Sequence, residues 1–357
     1  MKLGGTERHV IALASGLQAL GHRVKILTLF FPGQLAGEVE KKGIPFECLQ
    51  LPYRWGAKTF FALHQWFGKN PVRMAHTYLF GFDLFAAWPA RLRKVPVVIS
   101  SRREIPEWQK ARHRMLVRMG NRFVDRVICC SNAVRAWTLE HERLPSEKVC
   151  VIYNGVETGH FFPAKEAGEG VRREFGIPQN VCVAGTVANF GAEKGYAYLI
   201  KAAGRALERD PSLRFLFVGD GPLKPAIERE AKKISPENHI IFTGFRPDIP
   251  PLLNAMDILV QASTVEGMPN SVYEAMACGK PVIATRVGGV PEILEQDKEG
   301  LLVEPRDEAA LAGAILRLAG DSALRARLGA SARRKIETSF SMQSMIDQYE
   351  ELYAQLL

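Results

Sequence analysis

The sequence predicts an α/β fold built from two doubly wound parallel-sheet domains. Three observations carry that expectation. Short apolar, β-branched runs alternate with longer helix-compatible stretches almost throughout the 357 residues. These runs form two successive series. The two parts of the chain also differ in charge: residues 1–150 carry 24 Lys and Arg against 11 Asp and Glu, a net +13, whereas residues 151–357 net −4.

In the first series, strands are expected at Val24–Leu29, Pro45–Leu49, Val72–Thr77, Val95–Ser100, Arg126–Cys130 and Val149–Tyr153. In the second they are expected at Val181–Val187, Leu213–Val218, His239–Phe242, Ile258–Gln261, Val282–Thr285 and Gly300–Val303. Parallel sheets covered by helices on both faces follow from such alternation, with a ligand crevice at the carboxyl ends of the strands. Pro163–Val171, rich in Gly, Ala and Glu, reads as the linker, giving expected domains of residues 1–162 and 163–340. Ser341–Leu357 reads as a helix with Met345, Ile346, Tyr349, Leu352 and Tyr353 on one face. Trp108–Phe123 places Trp108, Met115, Leu116, Met119 and Phe123 near one helical face, with Lys110, Arg112, Arg114, Arg118 and Arg122 on the others. An apolar stripe packed on the sheet is the favoured reading there, with membrane-surface contact as the alternative. A doubly wound domain normally opens with a strand that delivers a Gly-rich turn. Only Met1-Lys2-Leu3 precede Gly4-Gly5, so the first strand of the N-terminal domain is expected to be missing.

Composition narrows the class. A hydrophobic fraction of 47% and a charged fraction of 24% are ordinary for a globular protein. No apolar run reaches the roughly 18–20 residues of a membrane span, and no signal peptide opens the chain, which points to the cytoplasm. The six cysteines lie in mostly apolar segments without CxxC or Cys/His spacing. They read as reduced core thiols rather than disulfides or metal ligands. The basic first half suits an anionic membrane surface or a phosphorylated acceptor, or is ordinary solvated charge. No nucleic-acid module accompanies it, so no nucleic-acid partner is expected.

The chemistry concentrates in residues 266–274, Glu-Gly-Met-Pro-Asn-Ser-Val-Tyr-Glu. The apolar run Met256–Ser263 suits a buried strand, and Ser271–Ala277 is helix-compatible and stops at Gly279. Glu266 is thus expected in a loop at the carboxyl end of a strand, and Glu274 about one turn into the next helix. Between them, the N–H groups of a helix N-terminus near Asn270 and Ser271 can hold an anion without a side chain. Two carboxylates flanking an anion site describe a polyhydroxylated ligand with a phosphate in its middle, a nucleotide-sugar.

That segment stands with Gly4-Gly5-Thr6-Glu7, Tyr153-Asn154-Gly155-Val156-Glu157, Phe217-Val218-Gly219-Asp220-Gly221-Pro222 and Phe242-Thr243-Gly244-Phe245-Arg246-Pro247-Asp248-Ile249. Gly279-Lys280-Pro281-Val282-Ile283-Ala284-Thr285 and Val287-Gly288-Gly289-Val290-Pro291-Glu292 complete the set. In this order along most of the chain, they resemble the retaining glycosyltransferases of the GT-B fold, family four (glycosyl transferases group 1). The resemblance implies GT-B architecture, with two Rossmann-like domains facing across a cleft and the last helix, 341–357, completing the first. It implies transfer of a hexose-type sugar from a nucleotide-diphosphate-sugar to a hydroxyl acceptor, with retention, in cell-surface polysaccharide or lipopolysaccharide biosynthesis. A lipid-linked acceptor and a peripheral position at the inner face of the membrane would fit. A catalytically silent nucleotide-sugar-binding protein, or another GT-B enzyme such as a nucleotide-sugar epimerase, stays open as the alternative.

The resemblance also implies roles. Glu266 would contact hydroxyls of the transferred sugar near the reacting carbon, Glu274 the ribose diol, and Lys194 the pyrophosphate. Gly4 and Gly5 would let backbone approach a phosphate, and Gly267, Met268, Pro269, Asn270 and Ser271 would line the donor site. Gly219, Gly221, Phe245 and Arg246 would border the base. The family commonly has an arginine where this chain has Asn189, which donates hydrogen bonds but supplies no charge. Arg102 or Arg103, reaching across the cleft, would compensate. His76, Arg102 and Arg103 stand on the acceptor side, unless His76 is a satisfied strand-end histidine and the arginines pair with Glu104 and Glu107. No Asp-x-Asp pair and no His/Asp/Cys cluster occurs, so no metal and no cofactor are expected. Cations and helix termini would stabilise the departing diphosphate instead.

Overall fold

Twelve strands alternate with α-helices in a computed structural model that describes residues 4–33, 35–52, 56–78, 83–235 and 239–357. The chain separates into two units: Met1–Gly155 with Met342–Leu357, and Val156–Ser341. All twelve strand expectations find a strand within them, shifted by no more than a few residues at the ends.

The first unit begins with α1 (Gly5–Ala19), β1 (Ile26–Thr28), α2 (Ala36–Lys41), β2 (Phe46–Cys48) and α3 (Ala57–Lys69). It continues through β3 (Met74–Tyr78), α4 (Trp88–Leu92), β4 (Val97–Arg102), α5 (Ala111–Gly120), β5 (Arg126–Cys129), α6 (Asn132–Glu142) and β6 (Val149–Val151). Strands β3 to β6 form a parallel sheet in chain order, and β1 pairs with β2 in a separate parallel pair. The expectation of a missing first strand falls on residues 1–3, outside the described residues. The terminal helix α15 (Met342–Leu356) packs on this unit: Met345, Ile346 and Tyr349 join Leu13, Leu17, Ile99 and Ile128 in one core. Gly16 of α1 makes that contact close, because a Cβ there would lie 2.2 Å from Ile346 Cδ1.

In the second unit, the chain runs α7 (Lys165–Glu174), β7 (Val183–Val187), α8 (Tyr196–Arg209), β8 (Arg214–Val218), α9 (Lys224–Ile234) and β9 (Ile240–Gly244). It then runs α10 (Ile249–Ala255), β10 (Ile258–Gln261), α11 (Asn270–Ala277), β11 (Val282–Thr285), α12 (Val290–Ile293) and β12 (Gly300–Val303). Helices α13 (Glu308–Gly320) and α14 (Ser322–Ser339) close it. The six strands are parallel in the order β12-β11-β10-β7-β8-β9. Strands β10 and β11 are buried at every position, as parallel strands covered on both faces should be. The order places a switch point between β7 and β10: from β7 the chain builds outward one way, then returns to build the other way. Ligands of open α/β sheets bind outside the carboxyl ends of strands at such a point.

Two expectations fail. Pro163–Val171 is not a linker, since α7 starts at Lys165 and packs on α10. Gly168 lies against the end of α10, where a Cβ would come within 2.4 Å of the Asn254 carbonyl oxygen. One turn on, buried Arg172 donates to the Ala255 carbonyl at 2.9 Å and to Asp257 at 2.7 Å. The small residues that suggested flexibility are there to permit close packing. The α5 stripe does not pack on the sheet either. Met115 is 59% exposed, Met119 45% and Trp108 54%, while Val117 and Gly120 provide the buried side. Helical spacing groups these side chains correctly, but the small residues, not the large ones, meet the protein.

Gly168→Ala is expected to destabilise the second unit by about 1–3 kcal/mol through overpacking against fixed backbone. Chemical denaturation of the variant and of the neighbouring Gly170→Ala, where no backbone lies near, should separate the contact from helix propensity.

Candidate active site

The loops after β7 and β10 meet at the switch point. After β7, residues 188–191 lead into a 3-10 turn, Ala192–Lys194, and then α8. Gly195 joins the two with φ at +68°, and a Cβ there would sit 1.8 Å from the Ala262 carbonyl oxygen. Only glycine allows this approach. The loop after β10 answers it: the Thr264 amide donates to the Glu193 carbonyl at 2.8 Å.

This junction brings Lys194 Nζ to 2.8 Å from Glu266 Oε1. Glu266 is buried. Two further donors reach the same oxygen, Gln261 Nε2 at 2.8 Å and Ser263 Oγ at 2.7 Å. Among the described residues, Oε2 accepts no hydrogen bond. Burying a carboxylate is costly unless it is paired and hydrogen-bonded, and here one oxygen carries that whole requirement. The other retains its capacity to accept a further hydrogen bond. Gln261 in turn accepts from Ser271 Oγ at 3.3 Å, and Thr285 Oγ1 donates to the Ser263 carbonyl at 2.5 Å. The carboxylate is therefore linked to the first turn of α11. Gly288 supports the loop from the far side, with φ at +52° and its Cβ position 1.7 Å from the Glu266 carbonyl oxygen.

Helix α11 starts at Asn270 after Pro269, and no side chain caps it. Its N-terminus thus presents amides to the space beside Glu266, and Glu274 lies one turn further along, partly buried. Gly267 is fixed by the Gly289 amide, which donates to its carbonyl at 3.1 Å, and Met268 is buried. The loops after β7, β8 and β9 are laced together nearby. The Gly219 amide donates to the Gly244 carbonyl at 3.0 Å, and the Phe190 amide to the Asp220 carbonyl at 3.0 Å. Gly219 has φ at +139°, with a Cβ position 1.9 Å from the Ala188 carbonyl oxygen, and Gly221 approaches the Phe190 backbone. Asn189 lies on the same loop and is exposed, as is Phe245. Arg246 behaves differently. It pairs with Asp248 at 2.6 Å and with Glu174 and stacks over Phe175, and these carboxylates raise its already high pKa.

The first unit holds the remaining candidates. Gly4 precedes α1, which begins at Gly5 without a side-chain cap. Arg102 and Arg103, adjacent at the end of β4, turn to opposite sides. Arg102 makes a two-pronged pair with buried Glu142, both bonds at 2.8 Å. Arg103 donates to Asn154 at 2.6 Å and contacts His9 at 3.3 Å. His76 lies in a network in which Nε2 meets Ser101 Oγ at 2.8 Å, and Nδ1 meets the hydroxyls of Tyr353 at 2.5 Å and Tyr78 at 3.0 Å. Burial, with the Arg103 charge second, lowers its pKa to about 3, and His9 is lowered by the same causes.

Sequence reasoning missed Gln261, Ser263, Thr285 and Gly288 around Glu266, and His9, Tyr78, Tyr349 and Tyr353 around His76. One signal was present: polar Gln261 and Ser263 close an otherwise apolar buried strand.

The fold and this site define a nucleotide-sugar-dependent glycosyltransferase of GT-B type. Residues 3–160 match the family model "Glycosyltransferase Family 4", and residues 179–321 match "Glycosyl transferases group 1". The chain belongs to this glycosyltransferase family. An Escherichia coli UDP-Gal:alpha-D-GlcNAc-diphosphoundecaprenol alpha-1,3-galactosyltransferase is 25% identical over 88% of this chain and 83% of its own length. Rhizobium meliloti LpsD, a lipopolysaccharide core biosynthesis glycosyltransferase, is 31% identical over 54% of this chain and 55% of its own. Among solved structures, Anabaena HepE in complex with UDP-glucose superposes with a TM-score of 0.89 at 25% identity, covering 99% of this chain and 96% of that one.

Gln261→Leu is expected to lower transfer by about tenfold or more, leaving nucleoside diphosphate affinity within a few-fold, because it removes an orienting bond and not a ligand contact. Steady-state transfer rates and calorimetric titration with the nucleotide read the two effects separately. For His76, the unfolded state binds a proton below its ordinary value of 6.5 that the folded state refuses until about 3. Stability contributed by the neutral ring is complete above pH 6.5 and falls as pH drops, by at most ~1.4 kcal/mol per unit. Urea denaturation at pH 7.5 and 5.5 should show a smaller acid loss for His76→Gln than for the parent.

Proposed function

We propose that this enzyme transfers a hexose-type sugar from a nucleotide-diphosphate-sugar to a hydroxyl of a lipid-linked acceptor, retaining the anomeric configuration, in cell-surface polysaccharide or lipopolysaccharide biosynthesis. The observation that carries the reading is the Lys194–Glu266 pair at the switch point beside the α11 N-terminus. The relative that acts on a diphosphoundecaprenol-linked sugar and the superposed complex with UDP-glucose support it. The reaction belongs on the cytoplasmic side of an anionic membrane, where such an acceptor is presented.

In this reading the donor diphosphate takes over Lys194 from Glu266. The ammonium, the Gly267 and Met268 amides before Pro269, and the Asn270 and Ser271 amides at the start of α11 then meet the negative charge that grows as the sugar leaves. Gln261 and Ser263 hold Glu266 in place once the lysine has moved, and Oε2 accepts from a sugar hydroxyl near the reacting carbon. Glu274 accepts from the ribose diol. Asn189 hydrogen-bonds the diphosphate without adding charge, and Gly219, Gly221 and Phe245 border the base. The bond from the anomeric carbon to the phosphate oxygen breaks, the bond to the acceptor oxygen forms on the same face, and the acceptor proton passes to the leaving phosphate. No metal is required by this scheme. Gly4 and Gly5 would add backbone donors for a phosphate. Arg246, held by Asp248 and Glu174, and Arg102, held two-pronged by buried Glu142, are assigned no part in it.

Glu266→Gln is expected to cut transfer by at least about 100-fold while donor binding persists. Nucleoside diphosphate release, measured over a panel of donors with lipid-linked acceptors, is the assay. Tight donor binding with neither transfer nor hydrolysis in the parent protein would favour a catalytically silent binding subunit instead.

A further inference from the structure

The exposed stripe of α5 belongs to a larger surface on the first unit. Phe61 of α3 is 60% exposed, and Trp88 and Leu92 of α4 are exposed one turn apart. Phe60 joins these elements, its ring 5.6 Å from that of Phe61 and 4.9 Å from that of Trp88. Trp88 stacks on Phe123, just beyond α5, with centroids 5.6 Å apart, and Arg91 Nε donates to the Phe123 carbonyl at 3.0 Å. One aromatic row thus links the outward apolar side chains of α3 and α4 to the turn that follows α5. At 100° per residue, Arg112, Met115, Leu116 and Met119 fall in a single arc of α5, and all four are exposed, as is Arg122 in the 3-10 turn that follows.

Charge identifies the occupant. Residues 56–124 contain 13 Lys and Arg and three acidic residues, and no acidic residue lies between Trp108 and Val124. Exposed Lys58, Arg93, Lys94, Lys110, Arg112 and Arg122 accompany the apolar side chains. We infer that the α3–α4–α5 face is a docking platform for an anionic bilayer, with Phe, Trp and Met side chains entering the headgroup boundary and Arg and Lys meeting lipid phosphates. Large apolar groups interleaved with long cationic stems suit that boundary, where the stems lie along the apolar layer and the charges stay in water. Among the described residues, no helix is long and apolar enough to cross a membrane, so the contact is with the surface. The inference rests on the proposed lipid-linked acceptor, which would be met in the plane of that surface.

The test is cosedimentation of the full chain with phosphatidylcholine vesicles and with vesicles of phosphatidylcholine mixed with phosphatidylglycerol. Binding should require the anionic lipid and weaken with added salt. Arg112→Gln with Arg122→Gln should reduce partitioning by about 30-fold, the loss expected for two charges at an anionic surface. Met115→Ser with Met119→Ser should reduce it by about tenfold or more. Both variants should keep the parent's nucleotide affinity and its transfer to a detergent-free, short-chain acceptor. Equal binding to both vesicle types, or no binding at low salt, overturns the platform. So does self-association that Met115→Ser with Met119→Ser abolishes while vesicles go unbound. Vesicle binding without transfer to any acceptor would leave the platform standing and remove the proposed function; transfer without vesicle binding would do the reverse.

Discussion

The site depends on satisfying one buried carboxylate at the carboxyl end of a parallel sheet. Three donors converge on Glu266 Oε1, and each comes from a different part of the second unit: Lys194 from the turn after β7, Gln261 from the end of β10, and Ser263 from the loop beyond it. Remove the sheet order that makes β7 and β10 neighbours, and the donors scatter. The two glycines at 195 and 288 serve the same end from opposite sides, letting backbone approach where any side chain would collide. The arrangement is a local solution to desolvation, and its by-product is a second carboxylate oxygen that accepts no hydrogen bond among the described residues.

The first unit shows the opposite use of buried polarity. His9, His76, Tyr78, Tyr349, Tyr353, Ser101 and Arg103 satisfy one another between α1, α15 and the ends of β3 and β4. Burial holds the histidines neutral and the tyrosines protonated, so the cluster carries the arginine charge and little else. Such a network is costly when half satisfied, which makes the last helix a condition for the rest of the unit.

Much of this architecture was legible beforehand, and the reason is local. Buried parallel strands are short apolar runs, and nothing else in this chain looks like them, so all twelve could be placed. The Glu266–Glu274 segment was legible because a strand end, a turn and a helix start occupy adjacent stretches of sequence. What failed depended on contacts distant in sequence. Gly168 looks flexible until α10 lies against it, and the face on which α5 packs is chosen by Gly120 and Val117, which no periodicity distinguishes from solvent-facing positions. Arg102 finds its two-pronged partner, Glu142, forty residues away. Gln261 and Ser263 were visible as polar residues ending a buried strand, but their shared target was not.

The discontinuity of the first unit bears on the order in which the protein is made. Helix α15 supplies Met345, Ile346, Tyr349 and Tyr353 to a core begun by α1, so that core cannot close until α15 has left the ribosome. The second unit needs nothing beyond Ser341. Domains fold as units during synthesis, so here the half translated later is the one able to finish first, and the earlier half must wait with an open face for its closing helix.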